Sequence, residues 1–147
     1  MLVALLLFSC GNNDDDVACL SIDPSDSNLF IDLVNGQGEN LIANGTYAAE
    51  DIIVRFRDFE TTNPVVTVEG FENFILVSVL GADQGNNTFE IVLSDTTTDT
   101  LVVNVSVEEG GGECNFTRYS INAAVYNDNT QTIEDVGSGQ LIRVVRL

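Results

Sequence analysis

The chain has 147 residues, with 23 acidic against five basic side chains, a formal net charge of −18, and no His or Trp. All five cations are arginine, so this chain by itself supplies no Ser-His-Asp triad, Cys-His pair, Ser-Lys dyad, Schiff-base lysine, Walker lysine or His-ligated catalytic zinc. The acidity also argues against a nucleic-acid partner, which needs a basic stripe, while 44% hydrophobic residues gathered in short dense runs point to a folded core rather than disorder.

Residues 1–9 read MLVALLLFS, an apolar run far shorter than the roughly 20 residues a membrane span needs. At an N-terminus such a run suits the apolar region of a secretory signal, the alternative being an apolar first strand of a soluble protein. Its end, Leu7-Phe8-Ser9-Cys10, resembles a bacterial lipobox. The resemblance implies that Cys10 is diacylated and becomes the first residue of the mature chain. Phe8 is larger than the usual residue there, and no Lys or Arg follows Met1. The charged part of the signal is therefore expected upstream of the assigned start. Residues 10–16 continue as Gly11-Asn12-Asn13-Asp14-Asp15-Asp16 after the cysteine, a solvated, self-repelling tether. This stretch resembles the acidic segment behind the lipidated cysteine in Bacteroidetes lipoproteins exported to the cell surface, and implies an outer-membrane location.

Residues 17–147 read as one domain of strands with period two. Residues 17–22 form a short first strand. Leu29, Ile31 and Leu33 alternate around Asp32, and Asn35-Gly36-Gln37-Gly38 breaks the run. A helical turn is expected over 47–51. Ile52, Val54 and Phe56 share a face opposite Arg55 and Arg57, which either grip an anion or pair with nearby carboxylates. A short strand over 65–68 precedes an almost wholly apolar run at 74–80, expected to be a central strand covered on both faces.

Phe89, Ile91 and Leu93 point inward, and residues 95–98 turn the chain. Leu101, Val103, Val105 and Val107 form the clearest inward face. After a Gly-rich loop at 108–113, Tyr119, Ile121, Ala123 and Val125 are expected to continue the core. A turn at 127–130 and a last strand at 140–147 complete the chain. About eight or nine strands without a competing helix predict an all-β, antiparallel immunoglobulin-like or Greek-key sandwich.

The order of features is similar to that of small surface lipoproteins of Flavobacteria and their relatives. It rests on Leu41-Ile42-Ala43-Asn44-Gly45-Thr46-Tyr47 before Asp51-Ile52, on Leu93-Ser94-Asp95-Thr96 before Thr100-Leu101, and on Cys114 ahead of the Tyr119 strand. It implies fold and location, not activity.

With Cys10 lipidated, Cys19 and Cys114 remain as an even pair in an oxidising compartment. A disulfide between them closes a loop of about 95 residues and stabilises by up to roughly 4.7 kcal/mol in the chain-entropy model. It requires the first strand to lie beside the strand that starts near Cys114; the alternative is two buried thiols.

The stretch Asp95-Thr96-Thr97-Thr98-Asp99 could offer carboxylates and hydroxyls to Ca²⁺ or a sugar, or be a plain hairpin turn. Asp128, between two asparagines, is a weaker candidate for Ca²⁺. Asp95-Thr96-Thr97 and Asp99-Thr100-Leu101 resemble triplets that Bacteroidetes O-glycosylate, which implies glycans on Thr96 and Thr100. No cofactor and no catalytic residue is expected. The scattered Tyr47, Tyr119 and Tyr126 build no platform for sugar stacking.

The expected function is a lipid-anchored envelope protein with a non-enzymatic structural, adhesive or ligand-binding role. Its one expected partner is the membrane, through Cys10. The alternatives are a glycan- or Ca²⁺-binding accessory module and, behind it, a carboxylate-dependent hydrolase.

Overall fold

The computed structural model describes residues 24–110 and 116–147. Cys10, Cys19, Cys114, the acidic tether and the strand expected over 17–22 lie outside the described residues. The chain folds as an all-β sandwich of two sheets, with no α-helix among the described residues.

In chain order, β1 (Asn28–Val34) follows a single 3₁₀ turn at Pro24–Ser27, and a second 3₁₀ turn at Ala49–Asp51 occupies the expected helical turn. Then come β2 (Ile53–Phe56), β3 (Phe59–Thr62), β4 (Ile75–Ser78), β5 (Gly85–Ser94), β6 (Thr97–Gly110), β7 (Phe116–Tyr126), β8 (Asn129–Gln131), β9 (Ile133–Asp135) and β10 (Gln140–Val145). The smaller sheet has the order β4-β1-β10-β9 and the larger the order β3-β2-β5-β6-β7-β8. The described residues hold ten strands: β3, β8 and β9, too short and polar to show a period, add to the expected set, whereas the strand expected over 65–68 is reduced to a single bridge from Val65 to Ile75. One pair, β1 with β10, runs parallel.

The core lies between the sheets. Leu29, Ile31, Leu33, Val77 and Ile142 face Ile91, Leu93, Leu101, Val103 and Val105, all fully buried. Each such side chain contributes roughly 1.5–3 kcal/mol on removal from water.

Two expectations about this core are corrected. The apolar run at 74–80 is not central: β4 is an edge strand, and Leu80 stands 59% exposed. The strand covered on both faces is β1, whose Phe30, Asp32 and Val34 are buried on the side away from the core. Phe71 packs on Phe30 with ring centroids 4.8 Å apart. Asp32 accepts hydrogen bonds from Asn40 Nδ2 at 3.0 Å and Arg143 Nε at 2.9 Å. Asn40 Nδ2 also donates to the Asn73 carbonyl at 3.1 Å, so the loops at 35–47 and 64–74 are tied over this face. Alternation in sequence does not reveal such a cover, because it is made by loops.

The second correction is in β7. Ile121 is inward, but so are Ala124 and Tyr126, not Ala123 and Val125. Val105 pairs with Ile121 and Asn104 with Ala123, which leaves Asn122 as an extra residue in β7. This β-bulge shifts the inward phase by one position.

Candidate binding groove

The sheets are unequal, and the larger overhangs the smaller. Strands β2 and β3 form a hairpin through Arg57-Asp58, with Arg57 in the left-handed region (φ 55°). Their register sets Phe56 opposite Phe59 and Val54 opposite Thr61, so these four side chains share the inner face. Every residue of β3 is nevertheless exposed, because no strand of the smaller sheet reaches over it. Asn63, also left-handed (φ 56°), then turns the chain so that Pro64 and Val65 run beside β4.

The overhang leaves a groove of about 500 Å³. Val54, Phe56, Phe59 and Phe89 form its floor, residues 64–68 one wall, and Leu76, Ser78 and Leu80 the flank. Phe56 and Phe89 stack with centroids 4.5 Å apart. The Arg57 guanidinium lies 4.6 Å from the centre of the Phe56 ring and pairs with Asp83. Three large apolar side chains at this groove are open to water: Phe59 at 75%, Val68 at 65% and Leu80 at 59%. Large exposed apolar groups gathered on one concave surface mark a binding site more often than scattered ones do.

The sequence-derived candidates fall elsewhere. Asp95 and Thr96 form the exposed two-residue turn between β5 and β6. Thr97 already belongs to β6, so Asp99 sits within the strand and points inward, 4% exposed. Asp99 accepts the Tyr126 hydroxyl at 2.8 Å and lies 3.3 Å from Arg146 Nη2. Arg146 Nη1 in turn donates to the Tyr47 hydroxyl at 2.7 Å. Burial first, then the Asp99 charge and hydrogen bond, hold the Tyr126 phenol well above its ordinary range.

This network joins the larger sheet, through Asp99 and Tyr126, to the chain just beyond β10. It is a clamp whose Asp99 and Tyr126 are buried, and Asp99 is committed to it rather than facing out beside Asp95. Thr100 is exposed on β6, with its backbone N–H held by Asn127 Oδ1 at 2.8 Å. Asp128 is exposed in the β7–β8 turn with φ 64°. Among the described residues, no three of His, Cys, Asp and Glu gather as metal ligands would.

Arg55 pairs with Glu60 and Glu90, and Arg57 with Asp83. Arg118, Arg143 and Arg146 pair with Asp26, Asp32 and Asp99. All five arginines are thus engaged by carboxylates. The Asp26 hydrogen bond and charge raise the Arg118 pKa further.

The groove was not legible as a site in the sequence. Its one signal is Phe59, an aromatic residue set between Asp58 and Glu60 in a hairpin, where a turn has no folding use for it. No family model, curated protein or solved structure matches the chain.

Proposed function

We propose that the protein is a lipid-anchored, non-enzymatic binding module of the cell envelope that captures its ligand in the groove between β3 and β4. One observation carries the binding role: an acidic chain of net charge −18 leaves Phe59, Val68 and Leu80 open to water around an apolar groove of about 500 Å³. Burying them on a partner recovers apolar area that folding left wet. The anchor reading rests on the lipobox-like Leu7-Phe8-Ser9-Cys10 and the Asp-rich tether behind it.

Binding is tested with Nile red and the full chain carrying Cys10→Ser, so that no lipid competes for the groove. Dye fluorescence is expected to rise saturably with the parent. It should fall by about tenfold in affinity with Phe59→Glu plus Leu80→Glu, equivalent to about 1.4 kcal/mol. Both substitutions are at exposed positions, so the melting curve should hold. A parent that fails to bind, or a double variant that binds as well, would remove the groove as a binding site. The anchor is tested by palmitate labelling in cells, which Cys10→Ala should abolish.

A further inference from the structure

We infer that the occupant of this groove is an extended peptide segment of a partner protein, apolar at alternate positions and flanked by Lys or Arg, which adds as a strand along residues 65–67. The inference rests on the groove being the binding site, and it names the ligand class.

The backbone supplies the first argument. Residues 64–66 run beside β4 and the two residues ahead of it, through a bridge between Val65 and Ile75. Leu76 N–H donates to the Pro64 carbonyl at 2.9 Å, Val66 N–H to the Phe74 carbonyl at 2.8 Å, and Asn73 N–H to the Val66 carbonyl at 3.0 Å. Pro64 therefore directs its carbonyl toward β4, and Val66 its polar groups toward Asn73 and Phe74 just ahead of β4. In an extended chain the intervening residues direct theirs the opposite way. The Val65 and Thr67 amides make no backbone hydrogen bond among the described residues. They form an open edge at the wall of an apolar groove, which is what an added strand needs. Its alternate side chains would then reach the Phe56, Phe59 and Phe89 rings. An acyl chain could fill the same volume but would leave the edge amides unused.

Charge supplies the second argument. Asp58 precedes Phe59, and Glu69 and Glu72 follow Val68, so the groove-lining residues are bracketed by carboxylates. None of these three is in an ion pair among the described residues, since every arginine is taken by another acid. Cationic flanks on a peptide match them, and anionic lipid head groups or free fatty acids do not.

The test uses the same full chain and four fluorescently labelled peptides, read by anisotropy. One alternates valine and threonine between lysine pairs. The second has glutamate pairs in their place, the third has N-methyl groups on the amides of one edge, and the fourth is the lysine-flanked composition scrambled. The first should bind saturably, and each of the others at least about tenfold more weakly. Thr67→Pro removes the edge N–H and spares the backbone bonds that Pro64 and Val66 make, so it should weaken the lysine-flanked peptide by a similar factor; an unchanged affinity would overturn strand addition. Equal binding of the N-methylated peptide would overturn strand addition, and equal binding of the glutamate peptide would overturn the charge match. Displacement of Nile red by palmitate or phosphatidylethanolamine vesicles, with no displacement by peptide, would make the occupant a lipid and overturn the proposal. Nile red binding with no peptide binding would leave the groove standing and this inference fallen; absence of both would take down the groove itself.

Discussion

Tyr126 and Asp99 show how a pair of residues sets a pH limit on the fold. The buried phenol keeps its proton in the folded chain to a higher pH than in the unfolded one. Its contribution is therefore complete below the ordinary phenol range and is lost as pH rises beyond about 10. The parent Tm should fall steeply above that pH and that of Tyr126→Phe less so, which paired alkaline melts would show. At neutral pH the same substitution should cost about 1–2 kcal/mol in denaturant unfolding, because the buried Asp99 loses one of its two partners. Only the acidic Asp95-Thr-Thr-Thr-Asp99 pattern is visible in sequence. The inward turn of Asp99 follows from where the β5–β6 hairpin closes, and a strand of Thr and Asp residues does not announce that register.

Among the elements, β1 is central because both neighbours, β4 and β10, come from remote parts of the chain. Gly139, at the entry to β10, has φ 152°, and a Cβ there would sit 2.8 Å from the Asn28 carbonyl and 3.0 Å from the Phe30 ring. Gly139→Ala should destabilise by about 2 kcal/mol, from backbone strain and from that contact with β1; an unchanged midpoint in urea would show that the junction gives way freely. The turn at Pro24–Ser27 bears on another element. It packs on β7 and ties Asp26 to Arg118 at 2.6 Å. The chain that follows Cys19 thus arrives near the start of the strand that follows Cys114, and we propose that these two cysteines are bridged. Non-reducing peptide mapping should recover them in one disulfide-linked peptide, and two alkylatable thiols would refute the bridge.

For the whole molecule, charge works against compactness. Five arginines cannot pair most of the 23 acidic residues, so uncompensated negative charge predominates. At about 1 M salt the Debye length shrinks to about 3 Å, which screens this repulsion more than it weakens the six ion pairs among the described residues. The Tm should therefore rise as NaCl is added; a falling Tm would give the ion pairs the larger share. The groove is also a property of the whole molecule, since it exists where a six-stranded sheet overhangs a four-stranded one.

By itself the sequence determined the all-β class, most strand positions, the chemistry this chain cannot supply, and the acidic surface. These follow from local period two, turn residues and composition, all carried by neighbours in the chain. Tertiary structure alone decided which strand is central, the phase of β7 past its bulge, the commitment of Asp99 to a clamp, and the groove. Each of these depends on which remote segments meet and which face stays uncovered, and no local pattern encodes a partner that lies a hundred residues away.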